Sequence, residues 1–105
     1  MPNSKVTALP AMGEMVRRLE EVLDDTKVAQ QLATLIIKHT ATDSGMLNGY
    51  DVTAGLNRAI YDFPSPPIAA VLTVYVEKII IALVDDETVR YDALRRLSQM
   101  AESRR

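Results

Sequence analysis

Residues 66–84 read PPIAAVLTVYVEKIIIALV, and the way this run folds decides the fold of the whole chain. Val71, Thr73, Val74, Val76, Ile79, Ile80 and Ile81 are β-branched and Tyr75 is aromatic, residue types that favour strands. Length argues the other way. A strand usually takes about 5–6 residues, and no Gly, Asn or Asp interrupts the run to turn a hairpin. Glu77-Lys78 would have to be the turn, and neither residue adopts positive φ easily. Upstream, Ser65 offers a capping hydroxyl, and Pro66 and Pro67 suit a first helical turn, where a missing N–H costs nothing. Downstream, Asp85 and Asp86 end the apolar pattern. The run therefore reads as a helix over 66–84.

On a helical wheel, Ala70, Thr73, Glu77, Ile81 and Val84 share one narrow stripe, with Val76 and Ile80 close beside it. The polar face of this helix is thus barely polar, and a helix apolar nearly all round is buried on most sides. A chain of 105 residues has few elements with which to surround it. The expectation is a central rod in a compact all-α bundle of about five helices, with the surface around Val76, Ile80, Ile81 and Val84 at or near an interface with a second copy, most simply a two-fold dimer. A membrane span is not expected, because Glu77 and Lys78 sit near the middle of the run.

Composition sets the outer bounds. At 105 residues the chain fits one domain, with 48% hydrophobic and 25% charged residues, as in ordinary globular proteins. A formal net charge of −2 gives no global attraction to nucleic acid or to an anionic membrane. The absence of Cys excludes disulfides, thiolate metal sites and a Cys nucleophile, and fits a reducing compartment. The N-terminus, MPNSKV, lacks the apolar segment of a signal peptide, so the expected location is the cytoplasm.

Around the central helix the rest of the chain divides into an N-terminal arm and four amphipathic segments. Residues 1–9 carry no period and read as a flexible arm, leaving 10–105 as a single helical domain. From Pro10, Met12, Met15, Val16, Leu19, Val22 and Leu23 recur at helical spacing. Asp24-Asp25-Thr26 can cap a second helix from Lys27 to about Thr40, making an αα-hairpin or one bent helix. Thr40 to Gly45 and Asn48-Gly49 are breakers, with Met46-Leu47 between them as an apolar plug. A third helix is expected from Asp51 as cap to about Asp62, though Gly55 disfavours it. Phe63-Pro64-Ser65-Pro66-Pro67 reads as a stiff elbow. After Asp85-Asp86-Glu87, a last helix places Val89, Ala93, Leu94, Leu97 and Met100 on one stripe, and a tail from Glu102 onward is expected to fray.

Candidates for chemistry are sparse. His39, the only imidazole, falls near the end of the second helix, where the macrodipole alone would favour it, and no nucleophile or orienting acid is spaced around it as catalysis requires. Asp85-Asp86-Glu87 and Asp24-Asp25 could bind a divalent cation, but acids at helix N-termini are expected as caps, so no metal is expected. Gly45 and Gly49 flank a stretch without the Lys of a phosphate loop. Arg90, Arg95 and Arg96 make the last helix locally basic and are the candidate nucleic-acid contacts; Asp92 opposes them, and no aromatic or Asn/Gln array accompanies them for base reading. The reading is a non-catalytic protein-binding or regulatory module without cofactor that self-associates through an apolar helix surface. The alternative is a small DNA-associated regulator using the Arg-bearing last helix.

Overall fold

The computed structural model describes residues 5–103, with side chains through residue 100. Among these residues five helices run in order: α1 (Met12–Leu23), α2 (Thr26–His39), α3 (Gly49–Tyr61), α4 (Pro66–Leu83) and α5 (Glu87–Ser103). The chain is an all-α bundle. The β-branched run 66–84 is a helix after all: the Ser65 hydroxyl accepts from the Ile68 N–H, Pro66 and Pro67 open the first turn, and the pattern ends at Val84. Persistent burial of one face overrides strand propensity there.

α1 and α2 form a tight hairpin and not one bent helix. Asp24 adopts φ 54°, the left-handed conformation that ends α1, and the next residue, Asp25, caps α2 by accepting from the Val28 N–H at 3.0 Å. α3 begins two residues earlier than Asp51. Asn48 is its cap, accepting from the Asp51 N–H at 2.8 Å, while the Asp51 carboxylate accepts from the Asn48 N–H at 3.2 Å. The pair expected to break the chain, Asn48-Gly49, is therefore a reciprocal capping box that starts a helix. Asp86 caps α5 by a single bond, accepting from the Val89 N–H at 3.0 Å.

α1, α2, α3 and α4 pack in a ring, each against the next and α4 back against α1, and α5 lies against α3 and α4. α4 thus touches every other helix except α2, and α3 every one except α1. The centre of the ring is filled by Met15, Leu19, Leu32, Ile36, Leu72, Ile79 and Ile80, each no more than 1% exposed. Residues 5–9 are tied down by an antiparallel bridge in which Thr7 and Leu47 exchange both backbone hydrogen bonds at 2.8 Å, with Leu9 packed on the core. Of the expected plug only Leu47 is buried; Met46 is 39% exposed. Residues 1–4, and Arg104 and Arg105 of the tail, lie outside the described residues.

The ends of α4 are held by other helices. Its last turn carries no basic residue, and Arg18 of α1 supplies one, donating to the Ala82 carbonyl at 3.2 Å and to Asp85 at 3.0 Å. Arg90 of α5 donates to the Val84 carbonyl at 3.0 Å. Two of the carbonyls that a helix end leaves without partners are satisfied in this way.

Two variants test this packing. Gly55 of α3 crosses the end of α2 so closely that a Cβ would overlap Thr40 Cγ2 and come within 3.1 Å of the His39 carbonyl oxygen. Gly55→Ala is expected to lower stability by about 1–3 kcal/mol, seen as a lower urea midpoint; an unchanged midpoint would mean that the two helices part freely. The second concerns Glu14, whose carboxyl is held from the ordinary 4.5 down to about 2 by hydrogen bonds from Arg17 and Arg18. Its folded value lies below the unfolded one, so its contribution is complete above about pH 4.5 and is lost as pH falls toward 2. Glu14→Gln should melt slightly below wild type at pH 7, a small difference because the site is exposed, and the gap should close by pH 2. A gap that stays constant across the series would contradict the assignment.

Candidate functional site

The two faces of α4 differ in what covers them. Leu72, Val76, Ile79, Ile80 and Leu83 form the buried face. Directly opposite, about half a turn of helix away, lie Pro67, Ala70, Val71, Val74, Lys78 and Ile81, all exposed. Val74 is 80% exposed, Val71 52% and Ile81 45%, an unusual concentration of bare β-branched side chains on one helix. Pro67, Val71, Val74, Lys78 and Ile81 follow one another at steps of four, three, four and three residues, the spacing of a seam between paired helices.

Of the residues expected at an interface, Ile81 alone lies on this face. Val76, Ile80 and Val84 are 9%, 1% and 0% exposed and pack inside the chain. The expected stripe was centred on the edge between the two faces, because the wheel locates apolar residues without showing from which side neighbours arrive. Val71 and Val74, the residues that define the bare face, were missed for that reason. α4 is also long and apolar enough to cross a membrane by length and composition, with 22% of that span buried.

Glu77 and Lys78 flank and interrupt the seam. Among the described residues neither enters an ion pair, and the Lys78 ammonium lies 5.7 Å from the centroid of the Tyr75 ring. Beside the seam, α3, α4 and α5 border a cleft of about 320 Å³ whose walls include Ile60, Val74, Val76 and Leu97, with Asn57, Thr73, Glu77 and Ser98 as its polar groups.

The arginines of α5 are engaged within the chain. Arg95 donates to Asp92 Oδ1 at 2.8 Å and Arg96 to Asp92 Oδ2 at 3.1 Å, Arg96 also lies 5.7 Å from the Tyr50 ring centroid, and Arg90 is bound to the end of α4. Burial would raise the Asp92 carboxyl, but Arg96 and Arg95 outweigh it and hold it below its ordinary value. Asp92 sits at a tight crossing, where a Cβ on Gly49 would overlap its carboxylate. Arg90 thus ties α5 to the end of α4 and Arg96 lies against Tyr50 of α3, while Arg95 pairs with Asp92 within α5 itself.

His39 has a partner that spacing did not reveal. Its Nε2 is 2.7 Å from Asp62 Oδ2, joining the C-terminal ends of α2 and α3. The residues are 23 apart in sequence, and only the crossing of the two helices brings them together. The pair clasps the two helix ends together, and among the described residues no hydroxyl is hydrogen-bonded to this imidazole. Nor do the described residues gather three or more His, Asp or Glu side chains placed to hold a metal ion. No known family model matches the chain, and no curated protein or solved structure is similar to it.

Proposed function

We propose that this protein is a non-catalytic interaction module whose working surface is the outer face of α4, and that its first partner is a second copy of itself. The observation that supports this most is the seam Pro67, Val71, Val74, Ile81, lying opposite the buried face and bare over the length of the helix. Burying a Val or Ile side chain contributes about 1.5–3 kcal/mol, so several left in water forgo a large share of a typical stability of about 5–15 kcal/mol. A second copy covers them, and two-fold pairing is the commonest closure for such a surface. Recognition on this face is by apolar fit. A lipid surface is the poorer occupant, since an interfacial helix carries a basic polar face and this one carries one Glu and one Lys on a chain of net charge −2. Duplex DNA is poorer still, with Arg95 and Arg96 already bound to Asp92.

Val74→Asp and Ile81→Asp each place a charge on the seam while leaving the core untouched. Both are expected to keep the helical circular dichroism of wild type and to elute as a smaller species in size exclusion, whereas Val76→Asp, which buries a charge, should unfold. Wild-type elution volume in the two seam variants would overturn the reading. So would a monomeric wild type, including one that floats with lipid vesicles.

A further inference from the structure

We infer that two copies of α4 pair antiparallel, in a register that sets Val71 of each copy against Ile81 of the other and Val74 against Lys78. This rests on the reading that the outer face of α4 self-associates, and adds direction and register to it. The seam has an internal symmetry that a two-fold axis can use. Positions 71 and 81, and positions 74 and 78, are equidistant from the height of Val76, so an axis at that height pairs all four at once. A shift of one heptad in either direction leaves Ile81 or Val71 beyond the end of the other α4.

Charge decides the direction. In a parallel two-fold pair each residue meets its own copy at the same height, so the two Lys78 ammonium groups would oppose each other on the seam. In the antiparallel register the two Lys78 are offset by about 6 Å along the axis, at 1.5 Å rise per residue, and each lies across from Val74, over which its aliphatic stem can lie. The same offset puts Glu77 of one copy about 4.5 Å along the axis from Lys78 of the other and about 3 Å from the other Glu77, so the two ammonium groups lie beside a pair of carboxylates whose charge they offset. Glu77 and Lys78, which find no ion-pair partner among the described residues of their own chain, complement each other between copies.

The chain contains no Cys, so single substitutions report contacts between copies without background. Equal amounts of Val71→Cys and Ile81→Cys chains, mixed in a glutathione redox buffer, are expected to cross-link into the mixed pair about tenfold more than Val74→Cys does with itself, because disulfides form only at short Cα separations. Dominant Val74→Cys cross-linking would mean a parallel pair and would overturn this inference while leaving self-association intact. Absence of any cross-link from chains that are monomeric by light scattering would remove both. As a second measurement, Glu77→Lys adds like charge at the crossing and is expected to weaken self-association about tenfold. Unchanged affinity would contradict the charge argument.

Discussion

A helix with apolar side chains on every side, in a chain too short to surround it, is the constraint from which the rest of this structure follows. α4 buries Leu72, Ile79 and Ile80 against its neighbours almost completely. At about 1.5–3 kcal/mol for each such side chain, that one face accounts for a stabilisation comparable with the net stability of a domain. The other helices are arranged to reach it: α1 and α3 from either side in the ring, and α5 across the α3–α4 edge. α2 packs between α1 and α3 and completes the ring. Once these positions are filled, no element among the described residues covers the outer face.

Polar contacts then fix the arrangement that apolar burial permits. Arg18 and Arg90 reach from α1 and α5 to carbonyls at the end of α4. The Thr53 hydroxyl, buried between α3 and α5, donates to the Ala93 carbonyl at 3.1 Å. Asp92 holds two arginines at the same crossing. Arg18 and Arg90 are thereby used to join helices, while Arg95 and Arg96 pair with Asp92 inside α5.

What was legible in the sequence was local. The helix over 66–84 could be read from its length, from Ser65 and the two prolines, and from the aspartates beyond it, all of which act within one turn. At Asp24-Asp25 the cap of a second helix was legible for the same reason, but the choice between a hairpin and one bent helix was not, since it turns on the left-handed conformation of Asp24. Asn48-Gly49 was misread as a breaker because Asn and Gly favour turns and caps alike, and the reciprocal bond to Asp51 that tips the balance is a matter of backbone direction. The Thr7 bridge to Leu47 and the His39 pair with Asp62 join residues far apart in sequence, so no period or spacing announces them. Gly55, which counted against a helix, is required there by the approach of α2. On the bare outer face of α4, Ile81 was among the residues singled out and Val71 and Val74 were not. Their exposure depends on which sides of α4 the other helices occupy, information that resides in the packing and not in the run itself.

If the outer face of α4 is a self-association surface, the face should be dry in solution at concentrations where the chain is fully associated. The most direct measurement is sedimentation equilibrium of the wild-type protein from low to high micromolar concentration. The account predicts a mass approaching that of two chains, falling toward one on dilution. A single-chain mass throughout would mean that this apolar face stays in water, and would contradict the account at its centre.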